Sequence, residues 1–320
     1  MSERVGEERV GAEEAPRVRR LATELATAIT AARRGATAIL EVVDAARYTK
    51  GDGSPVTDAD LVSDRAIRET IGAAFPTDAI LTEEGADDPA RLSARRCWVV
   101  DPLDGTKQFI AGTENYDVLV ALVEDGRPVV AVSCHPPTGL VTCAVEGEGA
   151  WLGGEDGGGY WRLLRFDSAV PRPARVVASI WYGAPDVLPV LGDRLAWLAA
   201  MPIPTLPTGL NPRYWAGPVR DHDAFVGWEP ASWGPDGGRP NVWMAGGEWD
   251  LVVSDLIVRE AGGGFSTLDG SPHRYNKPVA RNVGGLVIAA TAALHLEIVA
   301  ALDAPTGMRS WAAEASGQVQ

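Results

Sequence analysis

The sequence predicts an α/β protein built in layers, and three observations carry that expectation. Segments whose apolar residues recur at helical spacing, such as Leu21, Leu25, Ala28, Ile29 and Ala32, alternate with short Val, Ile and Leu runs that read as strands. The chain has 320 residues, 46% of them hydrophobic and 22% charged, enough apolar material for two domains or one large layered unit. Acidic residues fall where the predicted elements end, at Asp60, Glu83, Asp101, Asp104 and Asp250. Element ends are where α/β architectures collect ligand-binding groups.

Taken in order, residues 1–16 form a tail rich in Glu and Arg with almost no large apolar side chains. Residues 17–47 then carry one long amphipathic helix, with a break expected near Gly35. After the loop at residues 50–55, Thr57 or Asp58 caps a second helix bearing Leu61, Ile67 and Ile71, which Phe75-Pro76 ends. Residues 79–81 are a short strand delivering Glu83 and Glu84. Residues 97–100 are a buried strand that Pro102 should stop, since proline has no N–H for a ladder. Gly105 permits a tight turn, and Thr106 is an N-cap for a helix through Lys107, Phe109 and Ile110.

Residues 118–123, 129–133 and 140–145 read as an antiparallel meander with turns at 124–127 and 136–139. Residues 147–159 are glycine-rich without the Walker spacing, which suggests a hairpin tip or mobile loop. Proline content rises at 164–173, dividing an N-terminal domain (17–165) from a C-terminal one (166–310), with a second tail at 311–320. The latter domain should hold a strand at 175–181, a helix at 187–200, a Pro, Gly and Trp-rich span at 202–247, a helix opening at 247–250 and ending at 261–264, a strand at 285–290 and a closing helix at 292–302.

Composition excludes some roles. A formal net charge of −14 opposes binding to nucleic-acid polymers or anionic membrane surfaces. No apolar run approaches the roughly 20 residues that span a bilayer, and a cytoplasmic location is the default. Cys97, Cys134 and Cys143 lack zinc-like spacing and read as buried, reduced thiols.

The run Asp101-Pro102-Leu103-Asp104-Gly105-Thr106 has the chemistry of a magnesium and phosphate site. Two carboxylates three residues apart at a strand end can lean over one ion, and hard divalent cations prefer carboxylate and carbonyl oxygens, including that of Leu103. Free amides at the start of the next helix can face an anion.

Together with Val56-Thr57-Asp58-Ala59-Asp60, Thr82-Glu83-Glu84 and Trp249-Asp250 followed by Glu260-Ala261-Gly262-Gly263, this run resembles the inositol monophosphatase superfamily of magnesium-dependent, lithium-sensitive phosphatases. The resemblance covers residues 20 to 300 and implies a five-layer αβαβα sandwich, of the type also seen in fructose-1,6-bisphosphatase. It implies two or three Mg²⁺ ions: Glu83, Asp101 and the Leu103 carbonyl at one, Asp101, Asp104 and Asp250 at a second, and Glu83 near a third. Asp60 and Thr106 would orient and deprotonate the attacking water, with the amides of Gly105 and Thr106 on the phosphate. A homodimer is likewise implied.

Within the superfamily, residues 54–60 and 101–110 look most like bacterial 3'(2'),5'-bisphosphate nucleotidases, which implies the 3'-phosphate of adenosine 3',5'-bisphosphate as substrate. The second half departs from that pattern. Arg213 stands near where such relatives have a phosphate-contacting lysine, and a guanidinium can clamp phosphate in two places. Trp243 replaces the glutamate that contacts a substrate hydroxyl in the inositol enzymes. Inositol monophosphate, histidinol phosphate, a sugar phosphate or a phosphorylated specialised metabolite are the alternative substrates, and a noncatalytic binding relative is the alternative of another class.

Overall fold

The structure is a computed structural model that describes residues 18–51, 53–153, 161–166, 174–179, 205–206, 223–227, 229–230 and 243–302. It begins with helix α1 (Ala22–Leu40), a hairpin of β1 (Arg47–Thr49) and β2 (Pro55–Thr57), and helix α2 (Asp58–Ala74). A seven-stranded sheet follows, its strands adjacent in chain order: β3 (Ala79–Thr82), β4 (Arg96–Asp104), β5 (Asp117–Glu124), β6 (Arg127–His135), β7 (Leu140–Val145), β8 (Gly149–Gly153) and β9 (Arg162–Leu164). β3 and β4 are parallel, and each later pair is antiparallel. Short helix α3 (Thr106–Ile110) links β4 to β5.

Both faces of that sheet are covered, so its strands are apolar on both sides rather than alternating with polar residues. Trp98, Val100, Val118, Val120, Leu122, Val130 and Val132 point to one face, where α1 and α2 bury Leu25, Ala28, Ile39, Ile67 and Ile71 against them. Cys97, Val99, Leu119, Ala121 and Ala131 point to the other, by the period-two rule of a pleated strand. There they meet helix α4 (Glu248–Glu260), whose Leu251, Val252, Val253, Leu256, Ile257 and Val258 are all buried. An apolar surface so wide needs a second cover.

That cover is a five-stranded sheet ordered β11 (Thr205–Leu206), β10 (Val176–Ser179), β12 (Ala224–Gly227), β17 (Leu286–Ala289) and β15 (Gly264–Ser266). Phe225, Phe265, Leu286 and Ile288 pack toward α4, while Val176, Ala224, Val226, Val287 and Ala289 pack under helix α5 (Ala292–Leu302) through Leu294, Ile298 and Leu302. The layers therefore run α1 and α2, sheet, α4, sheet, α5, which is the αβαβα stack that the resemblance implied. A small sheet of β13 (Glu229–Pro230), β14 (Trp243–Gly247) and β16 (Arg281–Val283) completes the described strands. Among the described residues no helix is long and apolar enough to cross a membrane.

Three local expectations are corrected. The first helix neither breaks at Gly35 nor reaches residue 47. A side chain at Gly35 would place its Cβ 2.7 Å from Ser63 Oγ and 2.8 Å from Ile67 Cδ1, so this glycine lets α1 and α2 approach closely within an unbroken helix. Nor does Pro102 end β4. Pairing with β5 jumps from Asp101 opposite Leu119 to Asp104 opposite Asp117, so one extra residue is inserted on β4. At such a bulge the missing proline N–H costs nothing, and the Pro102 carbonyl accepts the Ser63 hydroxyl at 2.7 Å. Within the glycine-rich segment, residues 149–153 form β8 rather than a loop tip. The three cysteines are buried free thiols, as expected, and burial pushes Cys97 and Cys134 up to about 12.

The helix expected at 187–200, most of the Trp-rich span and Arg213 lie outside the described residues. β15 and β16 were not anticipated, being only three residues each.

Filling the helix crossing tests the packing argument. Gly35→Leu should lower unfolding free energy by about 2 kcal/mol, the usual scale of an overpacked contact, measured by urea melts. Unchanged stability would show that the two helices part without cost.

Candidate active site

The parallel register of β3 and β4, with Thr82 opposite Val100, sets the next residue of each strand side by side, so Glu83 meets Asp101. The Glu83 N–H continues the ladder onto the Val100 carbonyl at 3.2 Å, and Thr82 holds the turn by accepting the Gly85 N–H at 2.7 Å. From the middle layer, Asp250 enters at the third position of α4, its carboxylate accepting the Gly247 N–H at 2.7 Å. One carboxylate oxygen from each of Glu83, Asp101 and Asp250 lies within 4.8 Å of the other two.

Asp101 is the buried member, 1% exposed. Burial first, then Glu83, Asp104 and Asp250, push its carboxyl well above the usual range, with the Leu103 N–H, which donates to Oδ1 at 3.0 Å, opposing them. Asp104 closes the bulged strand and contributes to the same field. Lys50, from the turn between β1 and β2, donates to Glu83 at 2.7 Å and to Glu84 at 2.5 Å. Burial works against its ammonium, but the two glutamates outweigh that and hold its pKa above the usual lysine value. Glu84 is pushed up to about 7 by burial, with Glu83 and Asp60 adding and Lys50 opposing.

A second arrangement adjoins the first. Thr57 caps α2, and Asp60 returns the bond as the third residue of that helix, its Oδ2 accepting the Thr57 N–H at 2.8 Å and the Thr57 hydroxyl at 2.6 Å. The other Asp60 oxygen accepts the Thr106 hydroxyl at 2.9 Å. Thr106 was expected to cap α3; Gly105 does so instead, leaving the Thr106 hydroxyl turned to Asp60 and to the Leu103 carbonyl, 3.3 Å away. Gly105 has φ 99°, and a Cβ there would stand 2.7 Å from the Asn115 carbonyl oxygen, so the turn requires glycine twice over.

Glu83, Asp101 and Asp250 are thus brought together, with Asp104 in their field, and Asp60, Leu103, Gly105 and Thr106 adjoin. Sequence reading missed Lys50, which it treated as a loop residue. One signal was available: only three of the 29 basic residues are lysine, namely Lys50, Lys107 and Lys277, and one precedes the Thr57 cap by seven positions.

The layered fold and this acidic site define a phosphoric monoester hydrolase. Residues 17–179 match the model of the inositol monophosphatase family, and the chain belongs to that family. Over 258 residues it is 33% identical to histidinol-phosphatase of Mycobacterium tuberculosis, covering 80% of this chain and 87% of that protein. Over 230 residues it is 31% identical to the 3'(2'),5'-bisphosphate nucleotidase CysQ of Aggregatibacter actinomycetemcomitans, covering 71% and 77%. The solved structure of CysQ from Bacteroides thetaiotaomicron shares the fold at TM-score 0.64 and 24% identity, over 83% of this chain and 97% of that one.

Because the folded Asp101 pKa lies above its ordinary 3.8, protonation favours the folded state, and the carboxyl's share of stability is lost as pH rises above about 4. Asp101→Asn should therefore melt several degrees above wild type at pH 7 in EDTA, with the gap closing toward pH 4. Equal melting temperatures at pH 7 would show that the carboxylates do not strain one another.

Proposed function

We propose that the chain is a Mg²⁺-dependent phosphomonoesterase of a small phosphorylated metabolite, with its metal site at Glu83, Asp101, Asp104 and Asp250. The convergence of three carboxylates within 4.8 Å carries this reading. An all-oxygen donor set suits a hard cation, and the cost of crowding anions on a buried Asp101 is what such a cation offsets. Glu83, Asp101 and the Leu103 carbonyl would hold one ion and Asp101, Asp104 and Asp250 another, with Glu83 also near a weaker third. Bound there, magnesium supplies the positive charge that a phosphate ester and its developing transition-state charge require.

The remaining steps belong to the protein. Because its hydroxyl donates a hydrogen bond to Asp60, the Thr106 oxygen has lone pairs left to accept one from the attacking water and aim it; as the water gives its proton to the Thr106 oxygen, the Thr106 proton passes to Asp60. The bond from Asp60 to the Thr57 cap keeps the carboxylate in place during that exchange. The backbone amides of Gly105 and Thr106 would bind the phosphate oxygens. Holding a metal needs neither Asp60 nor Thr106, so their pairing supports catalysis over a noncatalytic binding role.

For the substrate, the motif from Asp101 to Ile110 favours the 3'-phosphate of adenosine 3',5'-bisphosphate, and the 31% identity to a 3'(2'),5'-bisphosphate nucleotidase supports that class of ester. Histidinol phosphate is the second reading, favoured by the 33% identity to histidinol-phosphatase. A homodimer, lithium inhibition and a cytoplasmic location accompany this proposal.

Phosphate release should require magnesium and be fastest on one of these two esters when they are compared with inositol monophosphate and sugar phosphates. Asp104→Asn and Thr106→Ala should fold normally yet lower turnover by about two orders of magnitude or more. Wild-type turnover in either variant would remove the mechanism, and release unaffected by EDTA would remove the metal.

A further inference from the structure

Behind Asp250 lies a polar relay that neither the motifs nor the family resemblance assigns. Glu248, two residues before Asp250, is wholly buried, and its carboxylate takes three donors from one segment: the Asn276 N–H at 2.6 Å, the Lys277 N–H at 3.0 Å and the Lys277 ammonium at 2.7 Å. The same ammonium donates to Asn282 Oδ1 at 3.0 Å, and the Asn282 amide donates to the Gly247 carbonyl at 3.1 Å. Gly247 is the residue whose N–H holds the Asp250 carboxylate. The chain of contacts therefore closes on the Asp250 side chain from behind.

Its other end reaches the Glu83 side of the site. Asn276 adopts φ 58° and exchanges two bonds with Arg91, accepting Nη1 at 2.8 Å and donating its amide to the Arg91 carbonyl at 2.9 Å. Arg91, 2% exposed, sits eight residues after Glu83 and is further clamped by Asp87 at 2.5 and 2.9 Å. Buried Arg91, half-buried Lys277 and the carboxylates of Glu248 and Asp87 thus tie the segment following β3 to the first turn of α4. Those two elements carry Glu83 and Asp250.

We infer that Glu248 is a positioning residue for the metal site: through Lys277, Asn282 and Gly247 it orients Asp250, and through Asn276 and Arg91 it fixes the distance from Asp250 to Glu83. The inference rests on the reading of Asp250 as a metal ligand. Partners behind a ligand set its orientation, and their loss typically costs about 10- to 100-fold in metal affinity. Glu248→Gln is the sharp test, since the amide keeps the shape but presents an N–H₂ to donors that need an acceptor.

Binding of Mn²⁺ to the full chain, read by electron paramagnetic resonance without substrate, should weaken about tenfold or more in Glu248→Gln, and Asn282→Ala should weaken it in the same direction. Glu260→Gln is the control for lost stability alone. At the far end of the same helix, Glu260 accepts the Gly147 and Gly149 N–H groups at 2.8 and 3.0 Å, away from the site. It should lower the melting temperature and leave Mn²⁺ affinity unchanged. Wild-type affinity in Glu248→Gln, or in Asn282→Ala if the former does not fold, overturns the inference while loss of binding in Asp250→Asn leaves the metal site standing. Equal affinity in wild type and Asp250→Asn overturns both.

Discussion

Repulsion among Glu83, Asp101 and Asp250 is the constraint around which the rest is arranged. Carboxylates at this spacing would move apart if the chain allowed it. Each is instead delivered by an element that cannot yield: Glu83 and Asp101 by two parallel strands bonded in register, Asp250 by a helix pressed between two sheets. Rigid layers supply the energy that holds the anions together, because parting them would break a ladder or uncover the α4 apolar surface. The position of Asp250 at the α4 N-terminus, where the helix dipole is positive, lowers the cost further.

Local counter-charges complete the arrangement without filling it. Lys50 reaches Glu83 from the β1–β2 turn, and backbone N–H groups of Leu103 and Gly247 donate to Asp101 and Asp250. These are directional, and each fixes one oxygen of its carboxylate. The bulge at Pro102 serves the same geometry, since one inserted residue shifts Asp104 in the β5 register while the strand continues. Ser63 secures the bulge from α2, the helix that also carries Asp60, so the acidic run and the Asp60–Thr106 pair share a single support.

Much of this was legible in the sequence because it depends on short-range rules. The meander of β5 to β7, the capped start of α2 and the limits of α5 follow from periodicity and turn residues, and the acidic residues announced themselves by falling at element ends. The misreadings share a cause: each residue serves a distant partner. Gly35 looks like a helix breaker until Ser63 and Ile67 stand against it, and Pro102 looks like a strand stop until the bulge is known. Thr106 resembles a cap but spends its hydroxyl on Asp60, 46 residues away. Lys50 and Glu248 were silent for the same reason, since nothing local tells a buried, paired charge from a solvated one.

Burial decides which of these charges matters. An exposed ion pair contributes little, and Arg95 with Asp125, both more than 60% exposed, is of that kind. Glu248, at 0% side-chain exposure, cannot trade its partners for water, so its Lys277 and Asn276 contacts are obligatory whenever the fold is intact. A buried ion pair is a poor source of stability compared with apolar packing, and α4 has apolar packing through Leu251, Val252, Val253, Leu256, Ile257 and Val258. A charge retained beside so much hydrocarbon therefore makes sense as a geometric device, one that fixes where the first turn of α4 points. That turn is the place where the core ends and the acidic site begins.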